Sequence, residues 1–228
     1  MKIFYRITEV PSTNPSPVFQ EDKLKLNELC LKSFVRAYSD LQPHVTFICD
    51  YCTPQTKEMI ERVCPFEKKI MMTSMGINET AMLQFSMANE LEGNESVVFC
   101  ECDHLYNGVI GKKAEEAIKE LGVVSFYNHP NFYIDKSIHS DVAMIKLVGD
   151  TYWRSTERNV LSFGIRGDIF KKSYDIWKKY GYLDDNNWKE LRERGYMLFV
   201  PLPGWSTHMA KDWLSVGINW KDVWEKYL

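Results

Sequence analysis

Two carboxylates stand one residue apart directly after a strongly apolar run. Residues 97–100 form the run, and Glu101 and Asp103 follow it. Carboxylates at this spacing in a turn can point to the same side and share a divalent cation through their oxygen atoms. A solvated acidic turn would have the same spacing, so the position of the pair in the fold has to distinguish a cation site from such a turn. A central parallel strand ends in the crevice where open α/β folds bind ligands, which favours a ligand site here.

The sequence lacks the glycine-rich loops that hold phosphates through backbone amides. Neither GxGxxG nor GxxxxGK[ST] occurs in the chain. A cation that bridges two phosphates is the natural substitute, because it would neutralise the charge that develops on a departing diphosphate. We therefore expect the carboxylate pair to act together with a divalent metal.

The elements that would position this pair alternate between strand and helix in the first half of the chain. Periodicity and cap residues predict strands over residues 2–8, 44–49, 69–73, 96–100 and 123–126, and helices over 22–41, 54–63 and 112–121 and from a cap at Asn78. This alternation is typical of a parallel sheet that is covered by helices on both faces.

The second half of the chain has a different pattern. Strands are predicted over residues 142–148, 160–165 and 197–200, and helices from a cap at Asp168 to Gly181 and over residues 187–194. No internal repeat or low-complexity linker separates the two halves. We therefore expect a single domain over residues 1–228.

Composition limits the classes of function. The 228 residues are 45% apolar and 26% charged, an ordinary globular balance. The net charge of −3 excludes a broadly basic nucleic-acid binder, although it leaves room for a local basic groove. No window approaches the roughly 20 apolar residues of a membrane span. Without a signal-like N-terminus, a cytoplasmic location is expected.

The cysteines are expected to be free thiols, because a reducing compartment is predicted. Cys49 and Cys52 have the spacing of half a zinc site or of a redox pair. The other close pair, Cys100 and Cys102, is too tightly spaced to complete a usual zinc site. Cys49 and Cys100 lie in apolar runs, where cysteine behaves as a small buried hydrophobe.

Residues 97–106 resemble the strand and acidic turn of metal-dependent glycosyltransferases with the A-type fold. They are most similar to a group of small viral and bacterial members of that class. Further matches follow in chain order at residues 47–50, 128–130, 133, 152–156, 162–164 and 201–208. The resemblance implies an α/β fold with a Rossmann-like, mostly parallel central sheet flanked by helices and a C-terminal acceptor-side region.

The resemblance also implies the partners of the reaction. It implies a nucleoside-diphosphate sugar donor, with a UDP-sugar expected first, a divalent metal and a hydroxyl acceptor. The acceptor would be a glycan or a hydroxymethylated base in phage DNA, and the location would be the host cytoplasm if the protein is viral. Residues 1–104 would bind the nucleotide sugar and residues 105–228 the acceptor.

Carried over to matching positions, the resemblance assigns a donor and metal site. Asp50 would contact the nucleoside, and Asp103 would ligate the metal with Glu101 beside it. His208 would close the metal site from the C-terminal side. An imidazole ligand favours a transition metal, so Mn²⁺ is preferred to Mg²⁺. Cys102 departs from the family's acidic turn, which leaves open which carboxylate binds directly and which binds through water.

Sugar transfer also needs a base for the incoming hydroxyl. Asp184 and Asp185 stand where the resembling enzymes carry an acidic base, although helix capping would explain them equally well. A base at either position predicts inversion of the anomeric configuration, and its absence leaves a retaining route. Arg154 would hold the diphosphate or acceptor through a bidentate fork, or it forms a surface ion pair.

Three further side chains have a binding and a structural interpretation. Trp153 and Trp205 would stack on apolar faces of the acceptor sugar, or they belong to the core. Arg6 at the end of the first strand would face the donor's phosphates, or it is exposed. Two other functions remain open: nucleotidyl transfer to a sugar phosphate, and carbohydrate binding without turnover.

Overall fold

The computed structural model describes residues 1–134 and 144–228 of the chain. The strands are β1 (Lys2–Thr8), β2 (His44–Asp50), β3 (Lys68–Thr73), β4 (Val97–Glu101), β5 (His104–Tyr106), β6 (Val123–Ser125), β7 (Ile145–Val148), β8 (Thr151–Thr156), β9 (Phe163–Ile165), β10 (Leu198–Leu202) and β11 (Ser206–His208). The helices are α1 (Lys23–Ala37), α2 (Pro54–Val63), α3 (Ile77–Asn89), α4 (Gly111–Leu121), α5 (Asn131–Ile134), α6 (Gly167–Lys172), α7 (Tyr174–Tyr180), α8 (Asp184–Glu193) and α9 (Trp220–Trp224).

The main sheet has the strand order β3-β2-β1-β4-β9-β6-β10-β8-β7 in the described part of the chain. Strands β1 to β4 are parallel, and β9 runs antiparallel between β4 and β6. Strand β10 is parallel to β6, whereas β8 is antiparallel to both of its neighbours. The predicted α/β class, with a mostly parallel central sheet flanked by helices, is therefore confirmed.

A small second sheet connects the acidic turn to the C-terminal part of the chain. Strands β5 and β11 pair antiparallel, with His104 opposite His208. This pairing brings a histidine from far along the chain to the end of β4, since β5 begins only three residues after Glu101.

Alternate side chains of β1 pack into hydrophobic cores on opposite faces of the sheet, as expected for a strand that is buried on both faces. Tyr5 packs against Phe34 of α1 with ring centroids 4.9 Å apart. Phe4 points to the other face and stacks on Phe99 of β4 at 5.7 Å. Cys49 and Cys100 are fully buried, as their apolar surroundings predict. Strand β1 is consequently packed on both faces, and this packing positions Arg6 near its carboxyl end.

Several predicted boundaries differ from the structure for local reasons. The helix expected from Asp168 to Gly181 is divided at Ser173, whose hydroxyl donates to the carbonyl of Ile169 at 2.8 Å. Asp168 lies in the first turn of α6 and pairs with Arg166 instead of capping the helix.

Other differences concern where elements begin. Gly76, with φ at +108°, precedes α3, so Asn78 lies inside the helix and is not its cap. The strand predicted over 142–148 is observed from Ile145, and positions 142 and 143 lie outside the described residues. The sequence analysis did not predict β5, β8, β11, α5 or α9. Among the described residues, no helix has the length and apolar character to cross a membrane.

Candidate active site

A cavity of about 570 Å³ opens at the carboxyl edge of β1, β2 and β4. Its wall contains five of the residues predicted from the sequence to bind donor or metal: Arg6, Asp50, Glu101, Asp103 and His208. The first four lie at the ends of parallel strands or in the turn that follows, where side chains of neighbouring strands meet. The crevice that the sequence analysis expected at the end of β4 is therefore present.

Arg6 and Glu101 occupy paired positions on β1 and β4 and form an ion pair. Nη2 of Arg6 lies 2.5 Å from Oε1 of Glu101, and Nη1 donates to the carbonyl of Ile77 at 2.9 Å. Both ends of the guanidinium are thus engaged, and the positive charge is fixed at the cavity wall.

Asp103 lies at the centre of a second charged group. Its Oδ2 is 3.4 Å from Nε2 of His208 and 3.7 Å from Nζ of Lys23. Burial acts to raise the pKa of Asp103, but His208 and Lys23 outweigh burial and hold that pKa well below the usual range. Burial likewise acts to lower the pKa of His208, but Asp103 raises it above the ordinary value. The carboxylate is therefore ionised at neutral pH.

The divalent cation stays a prediction, and Asp103 and His208 are the two side chains of this group that would hold it. Among the described residues, no three His, Cys, Asp or Glu side chains converge as a metal cluster. The 3.4 Å between Asp103 Oδ2 and His208 Nε2 matches two ligands that each lie about 2.1 Å from one ion. Nδ1 of His208 is buried without a hydrogen-bond partner in the described structure. Cations of this kind often take only one or two protein ligands when phosphates and water complete the shell.

Asp50 is buried, and it organises the rim of the cavity. Its carboxylate accepts hydrogen bonds from the backbone N–H of Met75 at 2.8 Å, from that of Gly76 at 3.1 Å and from the hydroxyl of Thr73 at 3.0 Å. These contacts hold the loop that leads into α3. The contact of Asp50 with a nucleoside stays a prediction.

Asp184 and Asp185 have different surroundings at the start of α8. Burial raises the pKa of Asp184 to about 6, and the charges of Asp185 and Glu101 act in the same direction. Asp185 is exposed and pairs with Arg158 at 3.0 Å. Asp184 is not part of the cavity wall described above, but it is close enough for the charge of Glu101 to raise its pKa. Of the two, Asp184 has the properties of a base.

The predicted acceptor residues do not join the cavity. Trp153 is fully buried and packs edge-on against Trp205 at 4.9 Å, so its predicted role in stacking on a sugar is wrong. Trp205 is half-buried, and its acceptor role stays a prediction. Arg154 lies over the rings of Phe132 and Tyr133, with 5.7 and 5.3 Å to the centroids.

The position of Arg154 also argues against contact with the donor's diphosphate. Its strand, β8, is four strands away from β4 in the sheet, about 19 Å at the usual strand spacing. Arg154 does not line the cavity, and its predicted contacts with the diphosphate and with the acceptor stay predictions.

Replacing Trp153 by alanine should lower the free energy of unfolding by about 3–5 kcal/mol, because it leaves a large cavity in the core. Trp205→Ala should cost less, since that side chain is only half-buried. Urea denaturation of both variants measures the difference. Equal losses would contradict the assignment of Trp153 to the core.

Two basic side chains of the cavity wall, Lys23 and His104, were not predicted as site residues. Lys23 is the first residue of α1, and its side chain is only 10% exposed. His104 is buried, and both ring nitrogens lack a partner in the described structure. Its ring is parallel to that of His208 at 5.6 Å. Burial lowers the pKa of His104 to about 3, and His208 acts in the same direction, so His104 is neutral.

One sequence signal would have found Lys23. The first helix of an α/β fold starts near the carboxyl edge of the first strand, so the first turn of α1 faces the ligand crevice. Asp22 caps that helix by accepting from the backbone N–H of Lys25 at 3.0 Å, which fixes Lys23 as the first helical residue.

By sequence, the chain matches no protein-family model and no curated protein. By structure, it is similar to the galactosyltransferase LgtC in complex with donor and acceptor sugar analogues, with a TM-score of 0.50 and 8% identity over 88% of this chain and 73% of that one. It is also similar to a putative nucleotide-diphospho-sugar transferase from Desulfovibrio desulfuricans G20, with a TM-score of 0.51 and 11% identity over 87% and 78% of the two chains.

A third similar structure belongs to an enzyme with a different activity. This is the 4-diphosphocytidyl-2C-methyl-D-erythritol synthase from Anaerococcus prevotii DSM 20548, with a TM-score of 0.52 and 13% identity over 97% of this chain and 92% of that one. At these identities the likeness establishes the fold. The predicted resemblance to transferases of the A-type fold is confirmed at that level.

Proposed function

We propose, from the fold that the chain shares with nucleotide-diphospho-sugar transferases, that it transfers a sugar from a nucleoside-diphosphate sugar to a hydroxyl acceptor. The observation that carries this proposal is the convergence of Asp103, His208, Glu101 and Arg6 on one cavity at the carboxyl edge of the parallel strands. The cavity volume of about 570 Å³ is in the ordinary range for a small-molecule site.

The cavity wall supports a donor site in the first half of the chain. In the described structure, all of its residues lie within 1–104 except Val160 and His208. Asp103 and His208 would hold Mn²⁺, or Mg²⁺, with Glu101 beside them. When bound, the cation would supply positive charge to the departing diphosphate. A UDP-sugar is the donor that we would test first.

Asp184 would serve as the base of an inverting transfer. The acceptor oxygen attacks the anomeric carbon, the bond from that carbon to the diphosphate oxygen breaks, and the hydroxyl proton passes to Asp184. A carboxylate with a pKa of about 6 is ionised at neutral pH and is a stronger base than an ordinary aspartate. Asp184 does not line the cavity, so the bound acceptor would have to extend beyond the cavity wall to contact it.

The direct test is a thermal-shift panel of UDP-, GDP- and TDP-sugars with and without Mn²⁺. A true donor at about 100 times its Kd should stabilise the protein by about 2.7 kcal/mol. Released nucleoside diphosphate then reports turnover. If no nucleotide sugar stabilises the protein under any condition, the proposal fails.

Nucleotidyl transfer to a sugar phosphate is the second candidate. The likeness to the erythritol synthase, which covers 97% of this chain, favours it. The absence of a glycine-rich phosphate loop in the sequence counts against a triphosphate substrate. Product analysis separates the two reactions, because nucleotidyl transfer releases pyrophosphate. Sugar binding without either product would indicate a binding module.

The acceptor class can be separated by its salt dependence. A modified-DNA acceptor should lose affinity steeply as salt rises, because phosphate contacts release counterions. A glycan acceptor should give a flat response. The net charge of −3 favours the glycan.

A further inference from the structure

Lys23 stands in the wall between two cavities. The second cavity, of about 480 Å³, lies under the segment that connects β1 to α1. It shares Pro11, Ser12, Lys23, Asp103 and His208 with the cavity described above. The side chain of Lys23 therefore borders both cavities, although it is only 10% exposed.

Lys23 and the proposed cation would compete for the same oxygen atom. Nζ of Lys23 lies 3.7 Å from Oδ2 of Asp103, the atom that also faces His208. A cation bound to that oxygen would lie about 2.1 Å from it. The ammonium and the cation would then be close neighbours in a buried site, where like charges repel strongly.

Of the arginine and the lysine in this wall, Lys23 is held by fewer contacts. Arg6 is held at both ends by Glu101 and the carbonyl of Ile77. In the described structure, Asp103 is the only carboxylate within 4 Å of Nζ of Lys23, and the contact is long. A flexible four-carbon stem lets an ammonium change partners at low cost.

We propose that Lys23 is the counter-ion of Asp103 in the ligand-free protein. When a divalent cation binds the carboxylate of Asp103, Lys23 leaves that carboxylate and pairs with the donor's diphosphate. In the ligand-free protein, the ammonium keeps the buried carboxylate paired. When the donor and cation enter, the diphosphate offers Lys23 a new anionic partner. Both parts of this proposal rest on the proposed function, which supplies the cation and the diphosphate, but each part can be measured without a sugar donor.

The test measures two ligands separately on ligand-free protein. Mn²⁺ binding is followed by the electron paramagnetic resonance of free Mn²⁺, and pyrophosphate binding without metal by calorimetry. Lys23→Met should bind Mn²⁺ about tenfold more tightly than the wild type and pyrophosphate about tenfold more weakly, which is an ordinary size for coupling between sites. Lys23→Arg keeps the charge and should bind Mn²⁺ as weakly as the wild type does.

The matched control is Lys25→Met, which removes an ammonium from the same helical turn. Lys25 is 65% exposed and pairs with Asp22, so neither affinity should change. If Lys23→Met is unfolded, Lys23→Gln replaces it in both measurements.

Opposite changes in the two affinities support the proposal, because a merely structural role would weaken both. An unchanged or weaker Mn²⁺ affinity in Lys23→Met, or a parallel loss of both ligands, overturns it. Failure of the proposed function is seen separately, as the absence of nucleotide-sugar binding to the wild-type protein.

Discussion

Asp103→Asn should reduce sugar transfer by at least about 10²–10³-fold, the usual cost of removing a group that stabilises developing charge. The carboxylate is the anchor proposed for the cation, and its negative charge also holds His208 and Lys23 in place. Asparagine keeps the shape of the side chain, and the backbone carbonyl of residue 103 still accepts from Met209 at 2.7 Å. The fold should therefore persist, but with a lower free energy of unfolding, because His208 and Lys23 lose a buried counter-charge. Initial rates at saturating Mn²⁺ and circular dichroism provide the measurements.

The control for this variant is Asp212→Asn, which removes one negative charge from an exposed position. Its rate should match that of the wild type. Wild-type turnover by Asp103→Asn with saturating Mn²⁺ would reject the assignment of the site.

Asp184→Asn should lower turnover by about 10²–10⁴-fold, because it removes the proposed general base. The same variant should be more stable than the wild type above pH 6. Since burial raises the pKa of Asp184 from 3.8 to about 6, ionisation of this carboxyl opposes folding. Allowing for its partial exposure, we expect a gain of about 1–2 kcal/mol in the free energy of unfolding at pH 8.

The pH dependence of this gain follows from the direction of the shift. A group with a raised pKa in the folded state reduces stability at pH values above that pKa, and the penalty shrinks as the pH falls through about 6. Near the unfolded pKa of about 4, asparagine and aspartic acid should be equally compatible with folding. Urea denaturation at several pH values measures the difference.

Asp185→Asn is the matched control, because Asp185 is exposed and pairs only with Arg158 among its charged neighbours in the described structure. Asp185→Asn should change the free energy of unfolding by less than about 1 kcal/mol and leave the rate unchanged.

The rate of the wild-type protein should decline below pH 6, because Asp184 becomes protonated there. Equal kinetic effects of the two variants would contradict the choice of Asp184.

Local sequence patterns were enough to predict the parallel half of the fold and to place the candidate site at the end of β4. These features depend on short-range patterns: apolar runs that suit buried strands, a proline at the start of α2, and a carboxylate pair directly after a strand. Such signals lie within a few residues of the element that they specify. For that reason Glu101 and Asp103 could be placed in the crevice without any tertiary information.

The folded arrangement was needed to show which side chains contact those carboxylates. His208 reaches Asp103 through the pairing of β11 with β5, and Lys23 reaches it from the start of α1. The resemblance to known enzymes suggested the first of these contacts, and the cap at Asp22 places Lys23 at the edge of the crevice. No local pattern specifies that either side chain reaches Asp103. Contacts between distant segments depend on strand register and helix placement, which are set by packing of the whole chain.

Packing of the whole chain also explains why the sequence could not distinguish Asp184 from Asp185, or Trp153 from Trp205. Asp184 and Asp185 are identical residues in adjacent positions, yet one has a raised pKa and the other forms a surface ion pair. Trp153 and Trp205 both suit a sugar platform, but packing buries the first completely. Burial and electrostatic surroundings are properties of the folded neighbourhood, and a residue's type and local spacing do not encode them.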